Sequence, residues 1–181
     1  MRRRSFIRAA ASVVPAAGLY DLFASEARAQ APLSAPPSLL HVVAAGQDRD
    51  GHTHVFRFGW LLFKVLTRET NGGLFVVEHP HMRPGGGPPL HLHLSQEEWF
   101  YVMEGEVAFQ VGGQRLHLYA GESVLAPRRV PHTFSSVAAV PSRMLIAFCP
   151  AGKMEQFFLD VENPKAPVGK PQFWRRYEME L

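Results

Sequence analysis

Two histidines one residue apart, His91 and His93, are followed by adjacent carboxylates at Glu97 and Glu98 and, 39 residues after His93, by His132. Imidazole and carboxylate together are the donor set of a divalent transition metal. On an extended backbone, side chains alternate between faces. His91 and His93 then leave the same face with their Cβ atoms roughly 6.6 Å apart, while Leu92 and Leu94 point the other way. Two imidazoles at that separation can converge on one ion, since metal–nitrogen bonds are about 2.0–2.1 Å. Glu97 and Glu98 face opposite sides of a strand, so only one of them can join the histidines. Glu98 shares its side with Phe100 and Val102, and Glu97 with Trp99 and Tyr101. Both sets are apolar, so alternation alone does not choose. His132 can reach the ion only if the chain returns to the same wall of the fold.

That return requires a particular kind of architecture. The 181 residues include 15 Gly and 15 Pro, with 46% hydrophobic residues, enough for a core within one domain and an appendage. β-like runs occupy 39–44, 54–58, 60–66, 74–77, 99–103, 107–111, 115–119, 123–125, 132–135 and 143–148. Turn chemistry separates them at Asn71-Gly72-Gly73, Gly105-Glu106 and Gly112-Gly113. Short strands at this spacing predict an all-β sandwich or barrel. A helical period appears only after Lys153, where Met154, Phe157, Phe158 and Val161 fall on one face. Residues 30–38 form a Pro-rich lead-in, and the tail 163–181, with Pro164, Pro167 and Pro171, is expected to be extended. The barrel is expected over 39–162.

Residues 1–29 read as an address. Arg2-Arg3-Arg4 precedes an Ala-rich apolar stretch over 9–23, and Ala27-Arg28-Ala29 has the small-x-small form of a cleavage site. The stretch is too short for a stable membrane insertion. The segment Arg3-Arg4-Ser5-Phe6-Ile7-Arg8 resembles a twin-arginine export signal. That resemblance implies the twin-arginine export machinery as a partner, passage across a bacterial inner membrane in the folded state, and a periplasmic location. These 29 residues carry five arginines against two acids, which accounts for the whole formal charge of +3 and much of the pI near 9.3. The remainder is neutral, which excludes a basic stripe for nucleic acid. The single cysteine, Cys149, sits in an apolar run and is expected to be a buried thiol.

The spacings resemble a known family. Gly85, His91, His93, Glu98 and Gly105 fall as in the first cupin motif, and Gly121, Pro127 and His132 as in the second. The resemblance implies a double-stranded β-helix, the cupin jelly-roll barrel, with a short C-terminal helix. It also implies one divalent transition metal ion (Fe, Mn, Ni, Co, Cu or Zn) held by His91, His93, Glu98 and His132. Two positions depart from the pattern: Arg129 stands where the second motif commonly has Gly, and Ser136 where it commonly has Asn. Three further stretches resemble the small quercetin-dioxygenase-like cupins. They are Gly85-Gly86-Gly87-Pro88-Pro89-Leu90-His91-Leu92-His93, Glu97-Glu98-Trp99-Phe100-Tyr101-Val102, and the Cys149-Pro150-Ala151-Gly152 exit into Phe157-Phe158. This implies a dioxygenase taking O2 and a small organic substrate, with Glu98 both ligand and proton acceptor. The alternatives are a non-catalytic small-molecule-binding cupin and a metal-dependent isomerase or lyase. Phe100, Phe109, Leu125, Phe134, Met144 and Phe148 are the expected cavity wall, and pairing into a homodimer is expected. His52 and His54 share a strand face with no acid at a matching spacing. His41, His79, His81 and His117 are read as structural or surface residues, with His79 and His81 placed near the barrel mouth.

Overall fold

The computed structural model describes residues 41–56 and 59–181. The expected export signal and the Pro-rich lead-in lie outside the described residues. Eleven strands are present: β1 His54–Phe56, β2 Gly59–Val65, β3 Phe75–Met82, β4 Leu92–His93, β5 Glu97–Glu104, β6 Glu106–Val111, β7 Gln114–Tyr119, β8 Ser123–Ala126, β9 His132–Ser136, β10 Ser142–Cys149 and β11 Met179–Glu180. Two short helices follow β10, α1 Met154–Val161 and α2 Pro171–Arg175. Six strands form one sheet in the order β1-β2-β3-β10-β5-β8, three form a second in the order β7-β6-β9, and β4 pairs with β11. All named pairings are antiparallel. The fold is an all-β jelly roll.

Alternation builds the interior. Along β10, Ser142, Met144, Ile146 and Phe148 are buried, while Arg143, Leu145 and Ala147 face outward. Along β5 the buried set is Glu98, Phe100 and Val102, and along β9 it is His132, Phe134 and Ser136. The two sheets thus close on an aromatic core that includes Phe63, Phe75, Phe100, Phe109 and Phe148. Burying each such side chain contributes about 1.5–3 kcal/mol.

Several expectations are corrected. Residues 41–44 are not a strand, and Val42 lies in solvent with no ladder partner. Cys149 is exposed rather than buried, because it ends the outward-facing series of β10. Leu125 is 50% exposed and belongs to the outer face, so it lines nothing. The tail 163–181 is not extended. Pro171 sits at the first helical position of α2, where its missing N–H costs nothing. Phe173, Trp174 and Tyr177 then bury one face of the tail, and Phe157 of α1 lies 5.3 Å from the rings of both Trp174 and Tyr177. The prolines were read as extending the chain, whereas one of them starts a helix. The compact unit therefore runs from His41 to Leu181 and includes the tail. Among the described residues, no helix is long and apolar enough to cross a membrane.

Candidate metal centre

Four backbone placements bring the chemistry together. His91 and His132 are directly opposed across an antiparallel bridge, with each amide donating to the other's carbonyl at 3.0 and 2.7 Å. That bridge brings residues 41 apart in sequence to a ring separation of 4.6 Å. His93 occupies β4 and is held on both sides. Met179 of β11 is its ladder partner, and the amide of Arg129 donates to its carbonyl at 2.7 Å. Glu98 stands on the inner face of β5, between Phe148 of β10 and Ala126 of β8. Glu97, one residue earlier, points outward and is bound by Arg128, whose Nη2 donates to its Oε2 at 2.7 Å.

The loop that delivers His91 depends on Gly87. A Cβ there would lie 1.8 Å from the carbonyl oxygen of Phe134, so the backbone approaches β9 more closely than any side chain allows. Arg129, where the motif commonly has Gly, adopts φ 63°. The left-handed conformation of the turn is kept by a residue that is strained in it. Ser136, the other departure, is buried and shares a 2.9 Å hydrogen bond with Ser142.

The four side chains form one buried cluster. Glu98 Oε2 lies 3.0 Å from His93 Nε2, 2.8 Å from His132 Nε2 and 3.9 Å from His91 Nε2. Two of the rings are oriented from behind. His91 Nδ1 donates to the Pro89 carbonyl at 3.0 Å, and His132 Nδ1 to the Val130 carbonyl at 2.9 Å. When neutral with the proton on Nδ1, each of these rings presents its Nε2 lone pair to the centre, and a second proton, on Nε2, lets His132 donate to Glu98. Lone pairs converging on a carboxylate are mutually repulsive unless a cation or protons lie between them. Burial alone would raise Glu98, but hydrogen bonds from His132 and His93 outweigh it and hold the carboxylate well below its usual range. Burial lowers His91 to about 4, with the neighbouring His132 and His93 adding to the shift and Glu98 opposing it. For His132, burial is overcome by the bond to Glu98, and the ring is raised. One ligand atom from each of the four residues lies within 4.8 Å of the others, a spacing that can hold one divalent transition metal ion.

The cluster forms part of the wall of a cavity of about 530 Å³. Of the expected wall, Phe134 and Phe148 line it, while Phe100, Phe109 and Met144 belong to the packed core. Much of the remaining wall is C-terminal: Phe157, Phe158 and Val161 of α1, then Trp174 and Met179 of the tail. Trp174 also lies 5.4 Å from the ring of His91. The polar lining is confined to His91, His93, Glu98 and His79. His79 follows Phe75 and Val77 on the inner face of β3, and its Nδ1 is buried without a hydrogen-bond partner. Burial, with some help from His81, lowers it to about 4, so it is neutral at physiological pH. The inward alternation of 75, 77 and 79 was legible in the sequence. The role of the tail was hidden, because Trp174 and Met179 reach the cavity only through a helix and a two-residue strand.

Comparison with known proteins agrees with this geometry. Residues 79–148 match the cupin domain family. The chain is similar to the polyketide synthase protein CurC of Streptomyces cyaneus, at 32% identity over 58% of this chain and 66% of that one. It is also similar to quercetin 2,3-dioxygenase of Bacillus subtilis, at 22% identity over 69% of this chain and 37% of that one. The chain thus spans no more than about two thirds of the length of these curated relatives. Among solved structures, an RmlC-like cupin from Shewanella frigidimarina superposes with a TM-score of 0.53 at 22% identity, over 64% of this chain and 96% of that one. That likeness establishes the cupin fold.

Proposed function

We propose that this protein is a metal-dependent cupin dioxygenase in which His91, His93, Glu98 and His132 hold one divalent transition metal ion. Its substrate is a small, largely apolar aromatic molecule carrying a hydroxyl group. The observation that carries this reading is the cavity: about 530 Å³, largely apolar, with His91, His93 and Glu98 of the cluster on its wall. An isomerase or lyase for polar substrates would need several polar groups on that wall, and outside the cluster only His79 provides one. The similarity to a protein named quercetin 2,3-dioxygenase supports the aromatic substrate class.

Held by His91, His93, Glu98 and His132, a redox-active divalent ion would supply Lewis acidity and redox chemistry toward O2. The remaining work falls to the chain. His91 and His132, each fixed through Nδ1 to a backbone carbonyl, hold the geometry. Glu98, buried and kept ionised by its histidine neighbours, accepts the proton of the substrate hydroxyl at Oε1 or Oε2. Phe134, Phe148, Phe157 and Trp174 enclose the ring system and exclude water. His79 offers the one polar contact away from the centre.

The test is O2 uptake by metal-loaded protein over a panel of flavonols, catechols and thiols, with His93→Ala as the control. Uptake with a hydroxylated aromatic that disappears in His93→Ala is expected. Binding of the same compounds without O2 consumption would replace the dioxygenase with a small-molecule-binding cupin.

A further inference from the structure

A second cluster lies at the start of β1, among residues that do not line the cavity. His52 and His54 flank the start of β1, and Glu162 follows the last turn of α1. One ligand atom from each of the three lies within 4.8 Å of the others. His54 Nδ1 is hydrogen-bonded to Glu162 Oε1, and His52 Nε2 lies 3.4 Å from Glu162 Oε2. The two rings are edge to face, with centroids 4.7 Å apart.

The other nitrogen of His54 is informative. The ring is only 4% exposed and stacks on Phe63 with centroids 3.6 Å apart. Its Nε2 has no hydrogen-bond partner, yet Asp48 Oδ2 stands 3.5 Å away. Asp48 is itself buried and fixed, accepting from the amides of Asp50, His52 and Phe63. Both nitrogens of His54 therefore face carboxylates, and a neutral imidazole has a single N–H to give. With that proton on Nε2 toward Asp48, the Nδ1 lone pair meets a second acceptor, Glu162. A cation between them resolves the conflict. The arrangement is that of a metal-ligating histidine oriented from behind by a carboxylate.

We propose that His52, His54 and Glu162 form a second metal site, for Zn²⁺, with Asp48 orienting His54. Two imidazoles and one carboxylate suit zinc over magnesium or calcium, which take oxygen ligands. The fourth position falls to water, since His52 is 61% exposed. The ion would tie β1 to the end of α1. Phe56 of β1 already packs on Phe158 of α1 at 5.5 Å, and Phe158 and Val161 line the cavity. The site would thus fasten the cavity wall without touching the reacting centre.

The test is zinc stoichiometry of the full chain after stripping, reloading with zinc alone and dialysis. It uses the wild type, His52→Ala, His93→Ala and the double variant. His52 is exposed, so its removal leaves the fold intact. The wild type is expected to retain two zinc ions, each single variant one, and the double variant none. Zinc affinity at this site should fall more than about 100-fold in His52→Ala, beyond the cost of losing an outer partner. Zinc should also raise the Tm of His93→Ala and leave that of the double variant unchanged. Failure of the buried centre alone would give one ion in the wild type, kept by His93→Ala and lost in His52→Ala. A zinc content unchanged by His52→Ala overturns the proposal.

Discussion

Two of the molecule's three His-x-His pairs, 52/54 and 91/93, face a carboxylate in very different settings. His91 and His93 lie in the barrel, both buried, facing a carboxylate delivered by β5 and a third histidine delivered by β9. His52 and His54 lie at the start of β1, one exposed and one buried, with His54 facing a carboxylate delivered by the end of a helix 108 residues further on. The i, i+2 spacing does the same work in both: it aims two rings to one side of an extended segment. The difference lies in what surrounds them. The inner pair adjoins an apolar cavity, where water is excluded and every charge must be compensated by protein or metal. The outer pair is open on one side, which suits a structural ion and not a reaction.

The contrast can be broken first by removing one histidine from each cluster. In metal-free protein, His132→Ala leaves Glu98 buried with only part of its compensation, and the cost should be about 3–5 kcal/mol. His52→Ala removes an exposed partner and should cost less than about 1 kcal/mol. Urea unfolding of the two apo variants measures both. Equal losses would show that burial does not separate the clusters.

Acid sharpens the comparison next. His79 and His91 are buried and held neutral, with values near 4. In the unfolded chain each titrates near 6.5, so between about pH 6.5 and pH 4 the unfolded state binds more protons. Stability is thus intact above pH 6.5 and falls as pH drops through this window. For His79 that lowering corresponds to roughly 3 kcal/mol. His79→Leu should remove that share of the slope in apo protein. A slope unchanged by the substitution would assign the acid lability elsewhere.

The smallest effect concerns the support of the inner pair. Arg129 donates its amide to His93 from a left-handed conformation. Arg129→Gly should stabilise the protein by up to about 1 kcal/mol in thermal unfolding. Destabilisation would show that the arginine side chain contributes more than its backbone strain costs.

The inner cluster was largely legible in the sequence because its geometry is local or follows a recurring motif. Strand alternation places His91 beside His93, and the motif spacing singled out Glu98, which the structure places inside while Glu97 meets Arg128 outside. The jelly roll was legible from short alternating runs and glycine-marked turns. The outer cluster was not. A pair of histidines with no acid at a matching spacing carries no signal when the acid arrives from the far end of the chain, as Glu162 does. The folded tail is hidden because its three prolines mask a short apolar pattern, Phe173, Trp174 and Tyr177, whose burial comes from packing against Phe157. Long-range partners that share no periodicity remain hidden from a reading along the chain.

The account's central claim, that one divalent metal sits on His91, His93, Glu98 and His132, is tested most directly by X-ray absorption at the metal edge. The measurement uses His52→Ala protein loaded with a single equivalent of metal, so that the outer cluster contributes nothing. Three imidazole nitrogens per ion at about 2.0–2.1 Å, together with oxygen, are predicted. A coordination shell with one imidazole or none would contradict it.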